Sequence, residues 1–113
     1  MGPAVYVTNP GEMFCQLGLD IKARSAFAFT YPVELANGSV GYIPTEEAFG
    51  PAGGGYETRL TSYSNLELTA GTRIVEASAR LVRSLAPGST PVPPRAESWA
   101  GEWDYGNVPP ELD

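Results

Sequence analysis

Hydrophobic and polar positions follow two rhythms along this chain. Ala4-Val5-Tyr6-Val7 is a β-branched and aromatic run and predicts a short strand. Asn9-Pro10-Gly11 is turn chemistry. From Glu12 to about Arg24 the period becomes helical. Phe14, Leu17 and Ile21 share one face, with Gly18 beside them where another element can pack closely. Asp20 and Arg24 form an i,i+4 pair on the other side. From Ala26 to Leu35 the period drops to two. Phe27, Phe29, Tyr31, Val33 and Leu35 lie on one face, and Ala28, Thr30, Pro32 and Glu34 on the other. This predicts a strand burying the aromatic face. Pro32 has no N–H to donate, which places the strand at a sheet edge or a bulge.

Asn37-Gly38 then reads as a two-residue hairpin turn, with Ser39 to Ile43 returning as the partner strand and Pro44 ending it. Thr45 to Phe49 reads as one helical turn capped by Thr45. Gly50 to Gly55 is loop, and Tyr56 to Leu68 is an irregular connection with a short strand near Thr58 to Thr61. A long helix follows, from Thr69 or Ala70 to Ala86. Its stripe is Ile74, Val75, Leu81, Val82 and Leu85, with small Ser78 between them and a Glu76–Arg80 pair outside. Pro87-Gly88 stops it. The order predicts an α/β fold: a small mixed unit of strand, helix, hairpin and helix over residues 1–86, then an extended Pro-rich arm over 87–113. The expected core is Val5, Val7, Phe14, Leu17, Ile21, Phe27, Phe29, Val33, Leu35, Ile74, Leu81 and Leu85.

Composition narrows the function classes. A length of 113 residues bounds the chain to one modest domain. The net charge of −6 lacks the clustered Lys and Arg of a nucleic-acid interface, and gives no pull toward anionic lipid. No run approaches the ~20 apolar residues of a membrane span. The first residues lack the basic and apolar regions of a signal peptide, and the abrupt start suits a truncated chain, a shortened reading frame or the C-terminal piece of a longer protein. The one cysteine, Cys15, excludes an internal disulfide and reads as a small core residue. No histidine is present, which removes Ser-His-Asp, Cys-His and His-ligated zinc chemistry from the isolated chain. The arm holds six of the 11 prolines and five acids against one base, Arg95. It also holds Trp99, Trp103 and Tyr105, more aromatic residues than a disordered tail carries, and so reads as an extended segment whose aromatic anchors dock on a body.

The chemistry concentrates between Leu35 and Glu57, LANGSVGYIPTEEAFGPAGGGYE. Tyr42 and Tyr56 flank a loop with three consecutive glycines, and a phenol can pack, donate a hydrogen bond or bind a metal as phenolate. A loop with two half-buried tyrosines accounts for this stretch on its own. Glu12, at a strand-to-helix junction, is likewise accounted for by the helix dipole. Gly53 to Gly55 is not a phosphate loop, because no Lys-Ser/Thr follows, and Glu46-Glu47 reads as a solvated turn.

These motifs, in this order, resemble the neutral/alkaline ceramidases, from about Val5 to Leu85, and within them bacterial ceramidase-like proteins of unassigned substrate. Pro10-Gly11-Glu12 is similar to a Pro-Gly-Glu motif of that family. Gly41-Tyr42-Ile43 and Thr45-Glu46-Glu47-Ala48-Phe49 are similar to its Gly/His-Tyr strand and Thr-x-Glu-Glu run, and Tyr56-Glu57 to its Tyr-Glu pair. The resemblance implies the C-terminal part of a zinc-dependent amidohydrolase that cleaves the N-acyl amide of ceramide-like lipids. It implies a zinc site of two histidines, a glutamate and a tyrosine, with Glu12 and Tyr42 as metal ligands and Tyr56 as hydrogen-bond donor to the oxyanion. The histidines and the nucleophile would lie on an upstream polypeptide segment, and the setting would be secreted or cell-surface. Ser39 stands where many family members have a tyrosine, the loop before Tyr56 is longer, and Glu57-Thr58-Arg59-Leu60 replaces a small-residue run. These departures bear on ceramide as the substrate more than on the metal. Two oxygen ligands do not complete a zinc site, so the isolated chain is expected to bind zinc weakly and hydrolyse nothing. The alternative is a non-catalytic binding or assembly module that kept the scaffold and lost the reaction.

Overall fold

The structure is a computed structural model and describes residues 2–98 and 100–101. It has an α/β architecture of four strands and two α-helices. Strand β1 (Ala4–Thr8) runs into helix α1 (Cys15–Ala23) by way of a two-residue strand, β2 (Glu12–Met13). Strand β3 (Phe29–Val33) returns parallel to β1, with Ala4 opposite Phe29 and Thr8 opposite Val33. Strand β4 (Tyr42–Ile43) lies parallel to β2. Helix α2 (Ala70–Arg83) packs on α1 and reaches β1. Val5, Val7, Met13, Leu17, Ile21, Ile43, Val75 and Val82 form one core cluster, with Phe27, Val40 and Ile74 against it.

The predicted hairpin does not form. Strands β3 and β4 belong to different two-stranded ladders. The reason lies in Asn9, which is only 4% exposed. Its backbone N–H donates to Val33 O at 3.0 Å, and its carbonyl accepts from Ala36 N at 2.9 Å. Its side chain accepts from Gly11 N through Oδ1 and donates to Val33 O through Nδ2. The chain leaving β3 is therefore tied to the Asn9–Gly11 turn before it can fold back on itself. Asn37 does adopt a left-handed φ of 62° and Leu35 one of 50°, but they turn the chain over Asn9–Gly11, where Val40 N donates to Pro10 O.

Helix α1 starts three residues later than its periodicity suggests. The N–H of Glu12 donates to Gly41 O and that of Phe14 to Ile43 O, both at 3.0 Å, so these residues are spent on the β4 ladder. Leu17 and Ile21 are buried as expected, while Phe14 becomes the half-buried N-cap residue and Cys15 is exposed. Asp20 accepts from Gln16 rather than pairing with Arg24.

The faces of β3 are reversed. Thr30 is buried and Pro32 half-buried on the helix side, while Phe29, Tyr31, Val33 and Leu35 are exposed. A period of two marks two faces without saying which is inside. Here the face toward α1 carries Thr30 and Pro32, with Pro32 in ordinary packing range of Gly18, 3.7 Å from where a Cβ there would sit. The buried Thr30 hydroxyl is satisfied by Ser25 Oγ at 2.7 Å. Pro32 does sit on an edge strand, since β3 pairs only with β1.

In α2 the buried stripe is Gly71, Val75, Ser78, Ala79 and Val82. Leu81 and Leu85, expected inside, are exposed, and Ile74 is half-buried. Among the described residues the one ion pair joins Arg73 to Glu67, not Glu76 to Arg80. Thr45 precedes a 3-10 turn over Glu46–Phe49 without capping it through its side chain. No strand forms near Thr58 to Thr61; that segment carries a 3-10 turn at Tyr56–Thr58 and coil. Trp99, Trp103 and Tyr105, read as anchors, lie outside the described residues.

Candidate functional site

Strands β2 and β4 are short, but they fix one juxtaposition. Met13 and Ile43 are register partners, both buried in the core. Side chains alternate along a strand, so their neighbours Glu12 and Tyr42, also register partners, project from the opposite face. Both are half-buried. Glu12 thus belongs to a strand, and the helix dipole no longer accounts for it.

Tyr42 is held from behind by the loop before α2. Its N–H donates to Ser64 Oγ at 3.2 Å, and Ser64 is itself buried, with its N–H on Thr61 Oγ1 at 2.9 Å. Gly41 makes this seat possible. Its φ is +76°, and a Cβ there would lie 2.7 Å from both Tyr63 O and Ser64 Cβ.

Tyr56 arrives from the other side. Gly54 and Gly55, at φ +121° and +112°, turn the chain into the 3-10 segment that carries it. Its ring meets that of Tyr42 edge to face, with centroids 5.3 Å apart and planes at 83°. The structure therefore brings together Glu12, Tyr42 and Tyr56, the three residues singled out from the sequence.

Tyr42 is pushed above its ordinary pKa of 10.0, first by hydrogen bonding with Tyr56 and then by partial burial. The charges of Glu12, Tyr56 and Tyr63 add to this. Tyr63 is a member of the cluster that sequence reasoning missed; its only signal was the polar TSYSN run, which resembles any loop. A group whose folded-state pKa is raised keeps its proton more tightly when folded. Its stabilising contribution is complete below the unfolded value of about 10 and is lost as pH rises through the folded value. A ring-resolved NMR titration is expected to place the Tyr42 midpoint above 10.0 and to show it falling in Tyr56→Phe. A midpoint that does not move in the variant would remove Tyr56 as the main cause.

Zinc, which the resemblance implies, can be tested against these donors. Carboxylate and phenol oxygens are acceptable zinc ligands beside imidazole. The surroundings of Tyr42 are electronegative, which favours a cation and would offset the raised pKa. Among the described residues, however, no group of three or more His, Cys, Asp and Glu is placed to hold a metal. Glu12 and Tyr42 offer oxygen donors of a type zinc accepts, and by themselves they do not make a zinc shell.

Beside Tyr42 opens a cleft of about 150 Å³ with a mixed lining, apolar at Ile43, Pro44, Phe49 and Leu66 and polar or charged at Glu57, Thr58, Arg59, Ser64 and Glu67. No helix among the described residues is long and apolar enough to cross a membrane. Comparison of the chain with protein-family models, with curated proteins and with solved structures gave no match.

Proposed function

We propose that this chain is the C-terminal portion of a zinc-dependent amidohydrolase similar to the neutral ceramidases, acting on the N-acyl amide of a lipid or related substrate. The observation that carries the reading is the register of Glu12 with Tyr42 on parallel strands, with the Tyr56 ring set edge-on against Tyr42. Three residues far apart in sequence come together, and they are the ones to which the resemblance gives the roles of two ligands and a donor. The apolar part of the cleft beside Tyr42, at Ile43, Pro44, Phe49 and Leu66, would face an acyl group. In this reading Glu12 and Tyr42 hold zinc together with histidines from an upstream segment. The bound metal would polarise the amide carbonyl and lower the pKa of the attacking group. Tyr56 would donate its hydroxyl proton in a hydrogen bond to the carbonyl oxygen as negative charge develops there.

The second reading, a non-catalytic module, is favoured by the absence of histidine from the chain and of a three-ligand cluster among the described residues. One experiment separates the two. Zinc content and amidase activity on a panel of N-acyl lipids are measured for the longest in-frame protein, with and without Glu12→Ala. The enzyme reading expects bound zinc and activity, both lost in the variant. Zinc content equal in the two proteins would remove Glu12 as a ligand. Absence of both zinc and activity in the unaltered protein would favour the module.

A further inference from the structure

Strands of parallel sheets are ordinarily covered on both faces. Among the described residues the β1–β3 sheet is covered on one. Val5, Val7 and Thr30 face the helices, whereas Tyr6 is 55% exposed, Phe29 45%, Tyr31 44% and Val33 36% on the other side. Tyr6 and Tyr31, register partners, stack at 5.3 Å with planes 24° apart. This is a flat aromatic floor rather than scattered surface residues. Along the free edge of β3 the floor continues into a shallow groove of about 250 Å³ between Lys22, Phe27, Phe29 and Tyr31. Lys22 is the chain's one lysine, is exposed, and forms no ion pair among the described residues.

The chain carries a segment whose chemistry matches. Both tryptophans lie beyond Pro87, and both have acids beside them, in Glu97-Ser98-Trp99 and Glu102-Trp103-Asp104-Tyr105. In the stretch that leads to them, residues 89–98 and 100–101 are all exposed. The Cα radius of gyration is 21.1 Å, against roughly 13 Å for a compact domain of about 100 residues. The stretch leaves the body where Gly88 N donates to Gly2 O, at 2.9 Å, and Pro3 O accepts from Phe29 N, so it departs from the end of the sheet at which the groove opens. A segment leaving beside the groove while extended away from the body is placed to reach the same groove on a facing copy, and the exchange closes as a two-fold pair.

We propose that the bare face of the β1–β3 sheet receives the aromatic–acidic segment 99–105 of a second copy of this chain, in a reciprocal exchange. An indole fills the groove beside Phe27, Phe29 and Tyr31, and the flanking acids face Lys22. The inference is independent of the metal.

The body contains no tryptophan, so intrinsic indole fluorescence reports on the arm alone. Fluorescence and light-scattering mass are measured over a dilution series of the full chain. The expected result is a dimer with blue-shifted emission that turns to a monomer with solvent-like emission on dilution. Tyr31→Glu, on an exposed position, should be monomeric with solvent-like emission and unchanged far-ultraviolet dichroism. Lys22→Glu should weaken the dimer about tenfold or more, as loss of a close charge partner does. Solvent-like emission at every concentration would overturn the proposal. So would blue-shifted emission in a concentration-independent monomer, which would mean the arm docks on its own body.

Discussion

Gly41→Ala is expected to destabilise the fold by about 2–5 kcal/mol, from left-handed backbone strain and overpacking combined. The φ of +76° at Gly41 is costly for any residue with a Cβ. The added methyl would also sit 2.7 Å from both Tyr63 O and Ser64 Cβ and 2.9 Å from Ser64 Cα, none of which side-chain rotation can move. The 61–64 turn would have to lift away, taking with it the Ser64 Oγ that accepts from Tyr42 N. Small domains have only about 5–15 kcal/mol in total, so a large share of the stability is at stake. In a domain of this size each kcal/mol moves the midpoint by roughly 4–8 °C, so thermal unfolding should shift down by about 10 °C or more. Gly38→Ala is the control. Its Cβ would make an ordinary 3.5 Å contact with Pro10 Cβ and its φ is not positive, so its midpoint should stay close to that of the unaltered chain. If Gly41→Ala melts with the control, the seat behind Tyr42 is looser than the contacts indicate.

The same residues show what a sequence can and cannot disclose here. Val5, Val7, Leu17 and Ile21 were legible because their period and their burial coincide. The outward turn of Phe29 and Tyr31 was not. Alternation names two faces, and the choice between them is a matter of tertiary packing, with Thr30 and Pro32 turned to the side where β3 meets α1. The hairpin at Asn37-Gly38 was a sound local inference overridden by Asn9, whose backbone and side chain together hold both Val33 and Ala36. That override made the site. With β3 and β4 unpaired, β4 was free to lie parallel to β2 and bring Tyr42 into register with Glu12. In α2 the small residues Gly71, Ser78 and Ala79 are buried while Leu81 is out, and at Gly71 the approach to α1 is so close that a Cβ would lie 2.7 Å from Leu17 Cδ1. Glu12, Tyr42 and Tyr56 were found through motif resemblance, and their convergence depends on pairings that no periodicity encodes.

Tyr56→Phe separates catalysis from architecture most sharply. The substitution removes one hydroxyl and keeps the ring that meets Tyr42 at 5.3 Å, so folding and zinc content should be unchanged. If Tyr56 supplies the oxyanion donor, kcat should fall by about 10²–10³, the usual cost of deleting such a donor, with KM little altered. The raised pKa of Tyr42 should fall in the same variant, because hydrogen bonding with Tyr56 is its largest cause. That gives a readout independent of turnover. The comparison with Glu12→Ala is informative because that variant should lose metal and activity together, whereas Tyr56→Phe should lose activity alone. The measurement is steady-state amidase kinetics with metal analysis on the zinc-loaded, upstream-extended protein. An unchanged kcat alongside a lowered Tyr42 pKa would leave Tyr56 as a positioning neighbour of Tyr42 and move the oxyanion donor elsewhere. Tyr63, whose charge also acts on Tyr42, would then be the next phenol to replace.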